Sequence, residues 1–147
     1  MNTRIVSCCI FIGGSLLAAE SKVTLSSLPA PVQSAVKEQT KAAKLVGVTK
    51  EVEGGKTMYE VETMVNGKSR DLILDASGAV VEVEQQVEMA SLPAAAREAI
   101  QKKAAGGKIK KVELLTKGSD ESYEAAYVTK SGKSAEYGVN ADGSAHK

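Results

Sequence analysis

The stretch "VTLSSLPAPVQSAV" at residues 23–36 recurs as "VEMASLPAAAREAI" at residues 87–100. In both copies a serine, Ser27 or Ser91, precedes Leu-Pro and a segment rich in small residues. Serine can cap the start of a helix, and proline is tolerated in the first turn because its missing N–H has no partner there. Each copy therefore predicts a short amphipathic helix. Its apolar stripe is Leu28, Val32, Ala35 and Val36 in the first copy, and Leu92, Ala96, Ala99 and Ile100 in the second.

The two copies are 64 residues apart, and other landmarks repeat at nearly the same offset. The dipeptide Tyr-Glu at 59–60 recurs at 123–124. After one inserted residue, "LDASG" at 74–78 recurs as "VNADG" at 139–143. Landmarks in one order at nearly one offset predict an internal duplication of two units, not a solenoid of many short repeats. The predicted repeats are residues 20–88 and 89–147, and together they form one domain.

Beyond each predicted helix, which ends near Lys41 or Ala105, the apolar spacing changes from helical to alternating. In "KTMYEVETMVNGK" at 56–68, alternation of this kind predicts a strand with one buried face. Gly-Gly, Asn-Gly and Ser-Gly pairs predict hairpin turns. Because one such unit buries little surface alone, we predict an α+β fold: a duplicated helix-plus-antiparallel-meander unit with both helices on one face of a sheet. The predicted strands are 45–53, 57–66, 68–75 and 79–87, then 108–116, 122–130 and 133–140.

The chain begins with the layout of a secretory signal peptide. Arg4 provides the positive charge, residues 5–17 form an apolar run, and small residues follow up to Ala19. The run is short and interrupted by glycine, which fits a cleavable signal better than a membrane span. We predict a signal peptide at residues 1–19, cleaved after Ala19 or alternatively Ala18. An N-terminal anchor helix is the other interpretation.

Removal of this segment changes the composition of the chain. Cys8 and Cys9 leave with it, and so does Arg4, so 18 of the 19 basic residues remain against 18 acidic residues. A zero net charge gives no basic excess for binding a nucleic acid. An exported chain without disulfides fits a periplasmic or secreted bacterial protein. We therefore expect that location, no nucleic-acid partner, and no stable membrane anchor once the signal is removed.

These features together resemble the PepSY-like family of bacterial envelope proteins. The similarity rests on export, tandem Leu-Pro helices, "YEV" and "YEA" strands at 59–61 and 123–125, and turns of the Asp-x-x-Gly kind. It covers essentially the whole chain after the signal. The resemblance implies a fold like that of β-lactamase inhibitor protein (BLIP), no catalytic motif, and an inhibitory or chaperoning role of the kind inferred for related propeptide domains. The second repeat departs from the family pattern because no convincing strand follows Gly143.

Residues typical of catalysis are scarce. His146 is the single histidine and lies next to the C-terminus, where we expect a solvated side chain. The segments "SAVK" at 34–37 and "KSG" at 130–132 match two short patterns of serine β-lactamases, but no Ser-Asp-Asn element accompanies them. We therefore predict no enzymatic activity, no catalytic residue and no cofactor.

The motifs "DASG" at 75–78 and "NADG" at 140–143 raise the question of calcium binding. An EF-hand loop that starts at Asp75 requires a glutamate at its twelfth position, where this chain has Gln86. Asp, Asn and Gly favour tight turns for their own reasons. Turn formation is therefore the preferred interpretation, calcium binding is the alternative, and no metal ligand is predicted.

The remaining candidate is the sheet face turned away from the helices. If Tyr59 and Val61 point towards the helices, the residues between them point to solvent and form an acidic surface with methionines, suited to protein binding. We predict a non-enzymatic module that binds another protein, for example an envelope peptidase that it inhibits or modulates. The alternatives are an ordinary solvated sheet face and an envelope sensor of a small ligand or cation. The predicted partner-binding residues are Met58, Glu60, Glu62, Met64, Glu82, Glu84, Glu124 and Glu136.

Overall fold

The computed structural model describes residues 20–53 and 55–146. The predicted signal peptide at residues 1–19 lies outside the described residues. Two α-helices and eight β-strands make up the regular structure of the described part. The helices are α1 (Ala30–Gln39) and α2 (Ala94–Ala104). The strands are β1 (Ser21–Lys22), β2 (Lys44–Glu53), β3 (Lys56–Val65), β4 (Lys68–Asp75), β5 (Val80–Gln86), β6 (Lys108–Lys117), β7 (Asp120–Val128) and β8 (Ser134–Asn140).

The eight strands form one antiparallel sheet in chain order, from β1 to β8. Short turns join the strands from β2 to β5 and from β6 to β8, whereas α1 lies between β1 and β2 and α2 lies between β5 and β6. In the β3–β4 hairpin, for example, Asn66 and Gly67 have φ values of 51° and 82°, the left-handed conformation that a type I′ turn needs. β2 and β6 each contain a bulge, at 45–47 and 109–111, which are 64 residues apart. The predicted α+β fold is confirmed, and β1 is a strand that the sequence patterns did not predict.

Both helices lie on the same face of this sheet. α1 packs through Val32 and Val36 onto β2, β3 and β4, and Val83 of β5 borders the same apolar cluster. Val83 pairs with Thr116 of β6. Because side chains alternate along a strand, Val112 of β6 lies on that same side, where α2 packs against it. The opposite face of the sheet is therefore covered by neither helix.

Each helix covers its own apolar cluster. Full burial of one aliphatic side chain stabilises the fold by about 1.5–3 kcal/mol, so these contacts hold the helices on the sheet. The predicted helix stripes are buried, except that Ala35 and Ala99 are half-buried at the edges of the clusters. The first cluster is Leu28, Val32, Val36, Val48, Tyr59, Val61, Leu72 and Leu74. The second is Leu92, Ala96, Ile100, Val112, Ala125 and Val139.

The helices begin later than predicted. A 3-10 turn at Leu25–Ser27 precedes α1, and the N-cap of α1 is Pro29, with no side-chain capping hydrogen bond. The hydroxyl of Ser27 instead donates to the carbonyl of Thr24 at 2.8 Å. The predicted serine caps are wrong, because these serines close the preceding 3-10 turn. The second half has the same arrangement, with a turn at Met89–Ser91, an N-cap at Pro93, and 2.7 Å between Ser91 Oγ and the carbonyl of Glu88.

The "DASG" and "NADG" motifs form turns that contact the helices. Asp75 Oδ1 accepts the amide N–H of Ser77 at 2.8 Å and its hydroxyl at 2.6 Å, and these bonds lower the pKa of Asp75. Gly78, with φ 83°, follows in the same turn. A Cβ on Gly78 would lie 2.7 Å from the carbonyl oxygen of Pro31 in α1, so only glycine fits there. The turn after β8 matches it, with Asp142 bonded to Ser144 and Gly143 (φ 84°) against the carbonyl of Ala95.

The chain after this second turn adds one isolated bridge, between Ala145 and Val139 of β8. As expected, no full strand follows Gly143 among the residues described up to 146. In the described part of the chain, no helix combines the length and the apolar character needed to cross a bilayer.

Candidate functional site

Carboxylates dominate the sheet face opposite the helices. Glu60 of β3 pairs with Ile73 of β4, which pairs with Glu82 of β5. On the same face Asp71 and Glu84 pair directly, although like charges opposite one another destabilise a sheet. We call this surface the acidic face; its carboxylates are Glu51, Glu60, Glu62, Asp71, Glu82, Glu84, Glu113, Glu124 and Glu136. The lysines on this side are Lys111 among the carboxylates, and Lys22, Lys44, Lys56, Lys108 and Lys117 in β1 or near strand ends.

The carboxylates in the middle of the acidic face are buried. Glu60 is 3% exposed, Glu84 4% and Asp71 5%, and Glu82 and Glu113 are buried as well. Since neither helix covers them, they are shielded by one another and by the side chains of adjacent strands. The prediction that the alternate residues point into open solvent is therefore wrong for Glu60, Glu82 and Glu84.

The structure places all eight predicted partner-binding residues on the acidic face. Besides the three buried glutamates, the other five are half-buried: Met58, Glu62, Met64, Glu124 and Glu136. The predicted positions therefore form one surface, and its centre is recessed while its surroundings remain partly accessible. Binding of a partner by these residues stays a prediction.

Three buried carboxylates converge within the first half of the acidic face. Glu60, Asp71 and Glu84 each place one carboxylate oxygen within 4.8 Å of the others, and we call them the carboxylate triad. Asp71 Oδ1 accepts the backbone N–H of Thr63 at 3.0 Å. Glu60 Oε1 is buried and has no hydrogen-bond partner. A buried carboxylate without compensation is costly, so this arrangement favours a bound proton or cation.

The electrostatics of the triad follow from burial and mutual repulsion. Burial, followed by the negative charges of Glu84 and Glu51, raises the pKa of Glu60 to about 9. Burial also raises the pKa of Asp71 to about 6, although the Thr63 N–H bond acts in the opposite direction. At neutral pH and without a cation, Glu60 therefore holds a proton.

A second carboxylate group in the other half includes a lysine. Lys111 Nζ lies 2.8 Å from Glu113 Oε2. Burial disfavours the charge on Lys111, but the charge and hydrogen bond of Glu113, together with the charges of Asp71 and Glu84, raise the lysine pKa overall. Burial and then the charge of Glu136 raise the pKa of Glu124 to about 7, while Lys111 acts to lower it. Burial also raises the pKa of Glu136, whose Oε2 is buried without a hydrogen-bond partner.

Sequence analysis missed Glu51, Asp71, Glu113 and Lys111 on this face, although the pattern that could have found them was present. Leu72 and Leu74 alternate with polar residues, so Asp71 belongs to the face opposite the helices by the same parity that selected Glu60. Glu51 and Glu113 follow from the same rule in β2 and β6. Lys111 follows from it too, because it lies two residues before Glu113 and after the bulge between Ile109 and Lys111.

The other candidate residues lie apart from this cluster or at its edge. Ser34 and Lys37, from the S-x-x-K match, are exposed on α1, on the opposite side of the sheet. His146 is exposed as predicted, but its position is fixed by the end of β8: its backbone N–H donates to the carbonyl of Gly138 at 3.0 Å, and its Nδ1 lies 3.0 Å from Asn140 Oδ1. Among the described residues, the buried carboxylates with raised pKa values therefore lie on the acidic face.

Comparisons with known proteins reveal a shared fold. A candidate periplasmic protein from Bacteroides eggerthii aligns over 82% of this chain and 86% of its own, with a TM-score of 0.64 and 14% identity. A DUF2874 family protein from Bacteroides uniformis aligns over 81% and 86%, with a TM-score of 0.62 and 18% identity. A BLIP-like protein from Bacteroides fragilis aligns over 82% and 84%, with a TM-score of 0.54 and 16% identity.

No family model matches the chain, and no curated protein matches it significantly. Because the identities are only 14–18%, the similarity to these solved structures shows a shared fold and nothing more. The expected similarity to the BLIP fold is confirmed by it.

Proposed function

We propose that this chain is a non-enzymatic periplasmic binding module of the PepSY-like kind, in which the acidic face receives a Lys/Arg-rich segment of another protein. We further infer that its halves arose by duplication of one helix-plus-meander unit. The duplication is supported by the offset of 64 residues that relates the bulges of β2 and β6. The location is supported by the predicted signal peptide and by a structural neighbour described as periplasmic.

The charge of the acidic face is the main support for the proposed partner class. Its carboxylates outnumber the lysines on the same side, and neither helix covers them. A surface of one sign attracts segments of the opposite sign and selects against like-charged ones. Met58 and Met64 lie half-buried on the same face and offer adaptable apolar contacts beside the charges.

The resemblance to PepSY-like proteins suggests an envelope peptidase as the source of that segment, with inhibition or modulation as the outcome. A binding role is the simplest account of a charged sheet face that neither helix covers. Electrostatic attraction of this kind weakens as salt increases.

The proposal can be tested with a fluorescent Lys/Arg-rich peptide and a charge-inverted peptide of the same length, using anisotropy at low and moderate salt. The matched variants are Glu62→Lys on the acidic face and Glu98→Lys on the exposed side of α2. Both change the net charge equally. We expect the basic peptide to bind, Glu62→Lys to weaken it about three- to tenfold, and Glu98→Lys to leave it nearly unchanged.

Equal binding of the two peptides would refute the proposal. So would equal weakening by Glu62→Lys and Glu98→Lys, because that would show a response to net charge alone. A positive result justifies crosslinking and mass spectrometry in the native envelope to identify the partner.

A further inference from the structure

The carboxylate triad has the geometry of a cation site. Glu60, Asp71 and Glu84 come from three adjacent strands, so the sheet fixes their relative positions. Their oxygens lie within 4.8 Å of one another. Oxygens this close to one another can all be ligands of one ion with bonds of about 2.4 Å, which is typical of calcium. We propose that the carboxylate triad binds a hard divalent cation of the calcium class.

An independent observation at Glu60 points to a ligand. The side chain is 3% exposed, and its Oε1 accepts no hydrogen bond, although its carboxylate reaches the other two triad members. Buried polar atoms in native proteins nearly always have a partner, and an orphan requires an explanation such as an ion. A cation between the three carboxylates supplies the missing partner.

The charged groups around Glu60 differ from those around Asp71 and Glu84. Among the described residues, the charged groups that act on the pKa of Glu60 are all carboxylates: Glu84, Glu51, Asp71 and Glu62. Lys111 acts on Asp71 and Glu84 from the second half. In the first half, the position 64 residues before Lys111 is Gly47, in the matching bulge of β2. The first half therefore has no ammonium where the second half has one.

The donor atoms define the class of ion. All three ligands are carboxylates, which suit calcium, magnesium or manganese better than ions that prefer nitrogen or sulfur. Three carboxylates can supply three to six oxygens, depending on whether each binds with one or two. Water or backbone oxygens then complete the shell that calcium requires. The ion also removes the repulsion that, together with burial, raises the pKa of Glu60.

This inference is independent of the proposed protein-binding role, since it concerns the chain alone. It is also separate from the turn at Asp75, whose Oδ1 is already bonded to Ser77 and Ala79. Failure of peptide binding leaves the cation site intact, and failure of cation binding leaves the peptide test valid.

The test is a calcium titration of the purified, chelator-treated protein by calorimetry and by thermal melting. We expect one ion per chain and a melting temperature that rises with calcium, because an ion that binds only the folded state stabilises it. An equal ionic strength of sodium chloride should not reproduce the rise. A magnesium titration should show weaker binding, because magnesium demands tighter octahedral geometry.

The decisive variant is Glu60→Gln, which keeps the shape and removes one charged ligand. We expect it to weaken calcium binding at least about tenfold while melting no lower than the unmodified protein in chelator. Glu84→Gln provides a second triad variant with the same expected loss. Glu124→Gln, a matched change on the same face outside the triad, should keep calcium affinity within about threefold.

The proposal is overturned if millimolar calcium leaves the melting temperature of the unmodified protein unchanged. It is also overturned if Glu60→Gln and Glu124→Gln weaken binding equally. Equal weakening would mean a diffuse attraction of ions to the whole face and no defined site.

Discussion

Glu60 and Glu124 lie 64 residues apart on β3 and β7, on the same face of one sheet, yet their surroundings differ. Glu60 is buried and its pKa is raised to about 9, whereas Glu124 is half-buried and its pKa is raised to about 7. Burial is the largest cause for both. Within the described part of the chain, the other groups that shift the pKa of Glu60 are all negative, while Lys111 also acts on Glu124 and lowers its pKa.

The origin of this difference is one position in each bulge. Lys111 follows the bulge of β6, and its ammonium pairs with Glu113 at 2.8 Å. Gly47 follows the bulge of β2, and a Cβ there would lie 3.5 Å from the Glu62 carboxylate, at ordinary contact distance. The backbone thus permits a side chain at Gly47. The two halves have the same arrangement of strands and bulges. They differ at this position, where the second half has the ammonium group of Lys111 and the first half has Gly47.

The two halves share one sheet and should unfold as one cooperative unit. Ile100→Ala tests this expectation and should cause the largest loss of stability among the variants proposed. Ile100 is 1% exposed in the second cluster, so its truncation should cost about 3 kcal/mol. We expect denaturant unfolding, followed by far- and near-ultraviolet circular dichroism, to shift as one transition.

Two controls accompany this measurement. Val36→Ala, 64 residues earlier in the first cluster, should shift the same single transition by less, since fewer methyl groups are lost. Val46→Ala removes a 39% exposed side chain and should cost at most about 0.5 kcal/mol. Separate transitions for the two halves would contradict a shared sheet that unfolds as one unit.

Gly47→Lys is the direct way to abolish the difference between the halves. An ammonium beside Glu62 and the triad should repel calcium and lower its affinity about 100-fold, which corresponds to about 2.7 kcal/mol. The same change should raise the melting temperature in chelator, because it compensates buried negative charge. The measurement is calorimetric titration with calcium plus melting in chelator.

Gly47→Ala is the control for this variant, since it adds a Cβ without charge. It should leave calcium affinity within about threefold of the unmodified protein. If Gly47→Lys binds calcium as tightly as Gly47→Ala, the bulge position does not control the charge of the triad.

Much of the arrangement of helices and strands in the two halves could be predicted from the sequence. Helical spacing identified Leu28, Val32 and Val36 as a buried stripe, and alternation placed Glu60 opposite Tyr59 in β3. These patterns depend on local geometry, which the sequence specifies residue by residue. The serine caps at Ser27 and Ser91 were predicted wrongly because a 3-10 turn competes for the same hydroxyls.

The chemistry of the acidic face could be predicted only in part. Parity along one strand indicates the face on which Glu60 lies, but its burial depends on Glu84 and Asp71 from other strands. That convergence requires the register between strands, including the bulge between Ile73 and Leu74. Register is a property of the assembled sheet, and it determined that a face predicted to be exposed has a buried centre.

Gly78→Ala tests whether the matching turns at Gly78 and Gly143 pack closely against the helices in both halves. A Cβ at Gly78 would lie 2.7 Å from the carbonyl oxygen of Pro31, and φ is 83°. Strain and the clash together should cost about 2 kcal/mol. Gly67→Ala has nearly the same φ of 82° with nothing within 4 Å of the Cβ, so it should cost about 1 kcal/mol.

Chemical denaturation of both variants measures the difference. Gly143→Ala should resemble Gly78→Ala, since its Cβ would lie 2.9 Å from the carbonyl oxygen of Ala95. A cost at Gly78 no greater than at Gly67 would mean that the turn does not press against α1.

Glu124→Gln gives the smallest expected effect and tests the electrostatics of the second half through pH. Burial in the folded protein raises the pKa of Glu124 from 4.5 to about 7, so folding favours the protonated carboxyl group. Stability from this group is complete below pH 4.5 and is lost as pH rises through about 7. Glutamine stays neutral, so the variant should gain about 1 kcal/mol relative to the unmodified protein between pH 5 and pH 8, after allowance for solvent screening.

The groups that face Glu124 define how this pH profile should be measured. Glu136, Glu113 and Glu82 raise its pKa and Lys111 lowers it. Denaturant midpoints of both proteins at pH 5, 6, 7 and 8, in chelator, give the gain at each pH. A gain that grows with pH places the titration at Glu124. A constant gain would mean that this carboxylate is ionised throughout, and that Lys111 compensates the second half more completely than its geometry indicates.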